Sequence, residues 1–275
     1  MTSRLTSRFA SLKRANRAAL VAYVMASDPD DATCFEILKG LPAAGADVIE
    51  LGFPFSDPMA DGVSIQLAAR RALQAGGSLR NTLELAKRFR ETNADIPLIL
   101  MGYANPVESM GYDAFAAAMN AAGADGAIVV DLPPEEDGPL RAAFATHDLS
   151  TIRLATPTTD EKRLTKVLDG ASGFLYYVAV AGVTGTQTAT ADAVRGAVQR
   201  LKSATDLPIA VGFGVRTPEA ARAIGETADA VVVGSAFVDE IAAGAPESAD
   251  RVLRKVRLLS EAVRAARSKQ EGRPA

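Results

Sequence analysis

The stretch AAGADVIELG, residues 43–52, has the form of a helix end, a glycine turn and a short buried strand. It is echoed by AAGADGAIVVD at residues 121–131, and DIPLILMG at 95–102 is echoed by DLPIAVGFG at 206–214. Copies of a helix–turn–strand pattern at several places in one chain indicate repeated βα units. No linker rich in proline, glycine and serine separates these copies, so we expect them to belong to one domain.

Short apolar runs rich in β-branched residues recur eight times along the 275 residues, at 19–25, 48–51, 98–101, 127–130, 151–154, 175–178, 209–211 and 230–233. Nearly continuous hydrophobicity is typical of parallel strands covered on both faces. Helix-period, alanine-rich segments lie between and after them, at 32–44, 79–90, 113–122, 138–146, 161–168, 191–203, 218–224 and 248–267. This alternation predicts an α/β fold, a (β/α)8 TIM barrel formed by residues 1–275. Residues 2–17 are predicted to form an extra N-terminal helix over the barrel floor, and residues 268–275 to form a frayed tail.

Composition excludes several classes of function. The chain has 30 Lys and Arg against 33 Asp and Glu, without a basic cluster, which disfavours nucleic-acid and anionic-membrane partners. No apolar run reaches the roughly 18 residues that a membrane span needs. Cys34 is the only cysteine, so an intramolecular disulfide and a cysteine zinc site are excluded. A single thiol fits a reducing compartment, and we expect a cytoplasmic protein.

The single histidine lies at the end of the predicted barrel opposite to the active site. His147 lies in the turn that leads into the fifth strand, whereas the active sites of such barrels lie at the carboxyl ends of the strands. A histidine triad or a histidine metal cluster is therefore disfavoured. Proton transfer must then depend on carboxylates, tyrosine or lysine.

Two carboxylates of the second predicted βα unit lie at the carboxyl end of the barrel, where TIM barrels have their active sites. Glu50 interrupts an apolar strand near its carboxyl end, on the face that carries Val48. A buried carboxylate needs either an ion-pair partner or a raised pKa, and the spacing leaves both open. Asp61 ends the long loop FPFSDPMADG, residues 53–62, either as a helix N-cap or as a second carboxylate facing Glu50. Asp57 in the same loop is interpreted as a turn residue or an outward contact.

Glycine-rich turns follow the last three strands, as AGVTGT at 181–186, GFGVR at 212–216 and GSA at 234–236. Glycines let the backbone approach an anion, and the turns after the last strands of a TIM barrel commonly bind phosphate. We therefore predict a phosphorylated ligand, with the Ser235 hydroxyl as one donor. In the sixth strand, alternation points one ring of Tyr176 and Tyr177 toward the barrel mouth and the other toward the helices. Tyr103, Asn105 and Asp131 follow earlier strands on the same side.

Over nearly its whole length, from about Arg8 to the last helix, the chain resembles the tryptophan synthase alpha chain family. The motifs that carry the resemblance are RFASLK, ALVAYVMASDP, VIELGFPFSDPMADG, LMGYANP, VVDLPPEE, YYVAVAGVTGT, GFGV and GSAFV. The resemblance implies a TIM-barrel lyase of tryptophan biosynthesis that splits indole-3-glycerol phosphate into indole and glyceraldehyde 3-phosphate. It also implies that this chain needs no cofactor, and that its partner is a beta chain carrying pyridoxal phosphate in an α2β2 heterotetramer.

The same resemblance assigns roles to individual residues. Glu50 becomes the general acid and base, Asp61 holds the indole N–H, and Tyr176 assists them. The remaining assignments are Thr184 as the residue that meets Asp61 on loop closure, Gly185, Gly214, Gly234 and Ser235 as phosphate ligands, Phe213 beside the indole, and Pro54, Phe55, Ser56 and Asp57 as contacts to the beta chain. The sequence departs from the family pattern at Ser27, where a glycine is common, and at Ala179 and Val180 before the AGVTG turn.

Two other functions stay open at this stage. One is a sugar-phosphate epimerase or isomerase with a divalent ion on Glu50, Asp57 and Asp61, although such metal-dependent epimerases generally use histidine ligands. The other is a catalytically silent barrel that only activates a beta chain. The presence of both Glu50 and Asp61 argues against a silent barrel.

Overall fold

The computed structural model describes residues 3–179, 191–212, 214–244 and 247–268. Within these ranges the strands are β1 (Ala19–Met25), β2 (Val48–Gly52), β3 (Leu98–Gly102), β4 (Gly126–Val129), β5 (Ser150–Thr151), β6 (Arg153–Ala155), β7 (Leu175–Val178), β8 (Ile209–Gly212) and β9 (Ala230–Val233). They form one sheet in the order β5-β4-β3-β2-β1-β9-β8-β7-β6, and every pairing is parallel.

The two ends of this sheet are consecutive in the chain, and this closes the barrel. β5 pairs with β4, β6 pairs with β7, and only Ile152 separates β5 from β6. The strand predicted at 151–154 is therefore one barrel strand in two halves, each bonded to a different neighbour. The Ile152 N–H still donates to the Ala127 carbonyl at 3.1 Å. The predicted (β/α)8 TIM barrel is confirmed.

Helices surround the barrel. In the described part of the chain they are α1 (Arg4–Arg14), α2 (Asp31–Ala44), α3 (Val63–Gln74), α4 (Leu79–Thr92), α5 (Ala104–Met110), α6 (Tyr112–Ala122), α7 (Gly138–Ala145), α8 (Glu161–Leu168), α9 (Ala191–Ala204), α10 (Pro218–Gly225), α11 (Ser235–Ala242) and α12 (Ser248–Ala265). Every predicted helical segment is present. The short helices α5 and α11 are not among the predicted segments. The sequence of α5, ANPVESM, is too short to show an apolar period. No helix in the described ranges is long and apolar enough to cross a membrane.

Helix α1 covers the barrel floor, as predicted. Its apolar side chains Leu5, Phe9 and Leu12 are buried in the cluster that fills the barrel interior. The Phe9 ring packs on Phe174, with 5.9 Å between centroids. Ser3 caps the helix by accepting the Thr6 N–H. Because α1 occupies the amino ends of the strands, a ligand must enter from the opposite end.

Alternation along β2 decides which way Glu50 faces. Val48 belongs to the interior cluster, whereas Ile49 and Leu51 belong to the layer between the strands and the helices. Glu50 is in phase with Val48 and therefore points into the barrel. Its register partner on β1 is Tyr23. His147 lies in the turn between α7 and β5, at the amino end of the barrel, and is half-buried.

Candidate active site

Glu50 is a fully buried carboxylic acid on the barrel-facing side of β2. It has no exposed surface, and neither carboxyl oxygen has a hydrogen-bond partner among the described residues. Burial raises its pKa to about 8. The ion pair that the sequence left open is therefore absent from the described part of the chain, and the alternative, a raised pKa, describes the site. Such a group is protonated at neutral pH and can act as a general acid.

Two tyrosines flank this acid. Tyr23 and Tyr176 are buried, and the pKa of each hydroxyl is raised by burial and by the charges of both Glu50 and Asp61. Both carboxyl groups therefore lie within electrostatic range of the same two hydroxyls. The Tyr176 hydroxyl rests against Gly212, where an added Cβ would lie 2.3 Å from its oxygen. Tyr176 is the inward ring of its pair, since Tyr177 packs in the outer cluster under the helices.

Asp61 approaches the site from the loop after β2. It is not the N-cap of α3, because Gly62 occupies that position without a side-chain cap. The Tyr103 hydroxyl accepts the Ala60 N–H at 3.0 Å and lies close to the Asp61 carboxylate. Burial raises the pKa of Asp61 to about 6, and the interaction with Tyr103 opposes that rise. The two carboxyl groups thus differ in pKa, which lets one carry a proton while the other is charged.

The tip of the same loop faces outward. Phe55 packs on Tyr103 with 5.3 Å between ring centroids, and Pro54 is buried. Ser56 and Asp57 are exposed and hydrogen-bond each other at 2.5 Å, so Asp57 does not reach the carboxyl pair. Met59 is 77% exposed, an unusual position for a large apolar side chain. Among the described residues, no group of three His, Cys, Asp or Glu is arranged to hold a metal ion.

A small pocket lies beneath this loop. It is lined by Tyr23, Met25, Phe53, Phe55, Pro58, Asp61, Ala69, Met101, Gly102, Tyr103 and Val130. Its free space is about 10 Å³, enough for one water molecule, so a ligand ring enters only if the loop moves.

The glycine turns after β8 and β9 lie at the same end of the barrel. Gly234 precedes α11, and Ser235 is the first residue of that helix, whose N-terminus has no side-chain cap. Gly214 follows β8 with a φ of 76°, a conformation that favours glycine, and the space where a Cβ would point is empty. A free helix N-terminus beside an open glycine turn favours an anion. Thr184, Gly185 and Phe213, the other residues predicted for this region, lie outside the described residues.

The sequence pattern assigns no specific role to two residues of the pocket. Tyr23 received no role, although a phenol at the carboxyl end of β1, in phase with inward Val21, is a detectable signal. The sequence pattern places Tyr103 on the active-site side of the barrel and assigns it no contact. Its proximity to Asp61 brings together positions 42 residues apart in the sequence, and no local pattern indicates such a contact.

The fold is a TIM barrel, and a buried acid with a second carboxylate at its mouth is the arrangement of an enzyme of the acid–base type. A family model described as "Tryptophan synthase alpha chain" matches residues 9–268. The tryptophan synthase alpha chain of Caulobacter sp. (strain K31) is 57% identical over 267 residues, covering 96% of this chain and 97% of the relative. That of Phenylobacterium zucineum (strain HLK1) is 56% identical over 272 residues, covering 98% of each.

Solved structures agree with this comparison. The tryptophan synthase alpha subunit of Legionella pneumophila superposes with a TM-score of 0.88 at 36% identity, covering 96% of this chain and 99% of that one. A chain of Mycobacterium tuberculosis tryptophan synthase gives the same TM-score, identity and coverage. The chain belongs to the tryptophan synthase alpha chain family, as its motifs predicted.

Proposed function

We propose that this chain is a carbon–carbon lyase of tryptophan biosynthesis, which cleaves indole-3-glycerol phosphate to indole and glyceraldehyde 3-phosphate by a retro-aldol reaction. The observation that carries the proposal is Glu50 in the barrel interior, which has a raised pKa and no hydrogen-bond partner among the described residues. Asp61 and the uncapped N-terminus of α11 lie at the mouth of the same barrel. The family membership reported above supports the same reaction.

Glu50 has the pKa that the first proton transfer requires. Cleavage begins when indole C3 gains a proton, and a carboxylic acid with a pKa of about 8 still carries that proton at neutral pH. The resulting Glu50 carboxylate then accepts the proton of the side-chain hydroxyl. The O–H electrons form the aldehyde C=O, the C3–carbon bond breaks, and its electrons restore the neutral indole. One group thus acts first as acid and then as base.

Asp61 stabilises the positive charge that develops on the indole ring. Protonation at C3 makes the indole nitrogen cationic, and an ionised carboxylate beside the N–H stabilises this charge. With a pKa of about 6, Asp61 is largely ionised at pH 7. Tyr103 positions the Asp61 carboxylate, and Tyr176, on the opposite wall of the barrel, assists the two carboxyl groups.

The phosphate group occupies the glycine-lined rim in this proposal. Gly214, Gly234 and Ser235 contribute backbone amides and a hydroxyl, together with Gly185 from the turn after β7. Phe213 flanks the indole, and Thr184 meets Asp61 when the two loops close and exclude water.

The exposed loop after β2 is the proposed contact with a beta chain. The contact residues are Pro54, Phe55, Ser56 and Asp57: Ser56 and Asp57 are exposed, whereas Phe55 is half-buried and Pro54 is buried beneath them. Exposed Met59 adds apolar surface to the same loop. The beta chain carries pyridoxal phosphate and receives the indole, in an α2β2 heterotetramer. This chain uses no cofactor of its own, and the complex works in the cytoplasm.

Indole release from indole-3-glycerol phosphate, measured with and without a beta chain, tests the function. We expect saturable release by the isolated chain, faster release in the complex, and loss of both in Glu50→Gln. Release only in the presence of the beta chain, unchanged by Glu50→Gln, identifies a silent activator. Isomerisation of a sugar phosphate without indole release identifies the epimerase or isomerase alternative.

A further inference from the structure

Arg216 is the only charged residue in the turns that follow the last three strands. The segments 179–190, 212–217 and 234–238 contain no Lys, Asp or Glu and no other Arg. Backbone amides provide only a fraction of a positive charge, since a helix N-terminus is equivalent to about half an elementary charge. A phosphate monoester carries roughly −1.5 to −2 charges at pH 7. The rim proposed above is therefore short of positive charge unless a side chain supplies it.

The structure places the Arg216 side chain along the exposed side of α11. One guanidinium nitrogen forms an ion pair with Asp239, and the other lies 3.5 Å from the Ser64 hydroxyl on α3. Asp239 follows Ser235 by four residues on the same helix, so their Cβ atoms are about 6 Å apart on one face. The carboxylate that holds the guanidinium thus belongs to a residue one helical turn from Ser235, and Arg216 itself follows Gly214 by two residues.

Both members of the ion pair are accessible to solvent. The side chain of Arg216 is 51% exposed and that of Asp239 is 42% exposed. Exposed pairs contribute little to stability, roughly 0–1 kcal/mol, so the guanidinium can exchange partners at low cost. A phosphate dianion that offers two oxygens to the guanidinium is a stronger partner than a solvated carboxylate.

We propose that Arg216 is a phosphate-binding residue, which moves from Asp239 to the substrate phosphate when the site is occupied. Asp239 holds the guanidinium beside the rim in the empty enzyme and competes with the ligand for it. This inference rests on the proposed function, because the phosphate belongs to the substrate named there. A different role, in which Arg216 only tethers α11 to α3, makes opposite predictions for Asp239.

The test measures binding of sn-glycerol 3-phosphate, which has the phosphate without the indole, by titration calorimetry at low ionic strength. Arg216→Ala is expected to raise the Kd roughly tenfold and to reduce its dependence on salt. Arg216→Lys keeps the charge and is expected to lose less affinity. Asp239→Asn removes the competitor and is expected to lower the Kd roughly threefold. Arg257→Ala, at an exposed position of α12, is the matched control and leaves the Kd unchanged.

Two results would overturn the inference. An Arg216→Ala chain that binds within twofold of the parent shows that the guanidinium does not contact the phosphate. An Asp239→Asn chain that binds more weakly, in parallel with Arg216→Ala, shows a tether. Indole release by the parent chain separates this failure from that of the proposed function, because an active enzyme with an unaffected Arg216→Ala variant refutes only the role of Arg216.

Discussion

The Tyr103 hydroxyl accepts the Ala60 N–H at 3.0 Å and lies close enough to the Asp61 carboxylate to lower its pKa. One phenol on the segment after β3 therefore bonds the backbone at the end of the loop after β2 and also acts on the carboxylate there. This interaction stabilises the charged form of Asp61 against burial.

Tyr103→Phe is expected to lower kcat/KM roughly 5- to 20-fold at pH 7. Loss of the hydroxyl leaves the Ala60 N–H without its acceptor and raises the pKa of Asp61 above about 6, so a larger fraction is protonated. Steady-state assays of indole release should show a larger loss at pH 6.5 than at pH 8. Tyr112→Phe is the control, because the Tyr112 hydroxyl bonds Glu108 outside the pocket. Equal losses in both variants would contradict the assignment.

Glu50→Gln and Asp61→Asn are each expected to reduce kcat by a factor of about 10² to 10⁴. Each variant keeps the shape of the side chain and removes only its ability to transfer a proton or carry charge. Circular dichroism and binding of sn-glycerol 3-phosphate should match the parent, since the phosphate end of the site is unchanged. Turnover at the parent rate by either variant would remove that residue from the mechanism.

The pH dependence of kcat/KM is expected to fall on the alkaline side with an apparent pKa near 8. Only protonated Glu50 can donate to C3, and burial places the pKa of this group at about 8 in the unliganded chain. The acid side is less informative, because Asp61 and the second ionisation of the substrate phosphate both titrate near pH 6. Initial rates measured from pH 7 to 10 provide the test, and a plateau to pH 9.5 would exclude Glu50 as the proton donor.

Glu50 is also expected to make the chain less stable as the pH rises. Its pKa is about 8 in the folded state and near 4.5 unfolded, so the folded chain holds this proton more tightly between those values. The free energy of unfolding should fall across that window and level off above it. Glu50→Gln lacks this ionisation and should be more stable than the parent by roughly 2–4 kcal/mol at pH 8, with little difference at pH 4. Urea unfolding at both pH values checks the sign, and a parent chain more stable than Glu50→Gln at pH 8 would contradict it.

Ser27→Gly is expected to raise the melting temperature by about 2–4 °C. Ser27 has a φ of 62°, in the left-handed region, and its buried hydroxyl has no hydrogen-bond partner among the described residues. Glycine relieves the backbone strain and removes the unsatisfied group, and these gains exceed its own cost of about 0.5–1 kcal/mol in chain entropy. Ser27→Ala, which removes only the hydroxyl, should give a smaller gain. A melting temperature below that of the parent in Ser27→Gly would show that the Ser27 side chain packs favourably.

Much of the candidate site was predictable because barrel geometry converts position along the chain into position in space. Glu50 and Asp61 were selected as residues at a strand end, and Gly214, Gly234 and Ser235 as turns after the last strands. The structure places all five at the same end of the barrel. Thr184, Gly185 and Phe213 lie outside the described residues, so their placement stays a prediction.

The choices left open by the sequence were decided by contacts between distant segments. The loop sequence is compatible with Asp61 as a helix cap and with Asp61 as a second carboxylate of the site. The structure decides between them, because Gly62 takes the cap position and Asp61 lies close to Tyr103 at the end of a different strand. The local sequence also does not show that the fifth predicted strand is divided at Ile152. Its two halves, β5 and β6, pair with β4 and β7, which lie near opposite ends of the strand order.

On its own, then, the sequence determined the barrel, its direction and the residues at its mouth, because hydrophobic period and strand polarity are local properties. Only the tertiary structure decided that Glu50 has no hydrogen-bond partner among the described residues, that Tyr23 is its neighbour on β1, and that Tyr103 lies close to Asp61. A raised pKa comes from the loss of water on every side of a group. That loss depends on which side chains the closing barrel brings around it, not on its neighbours in the chain.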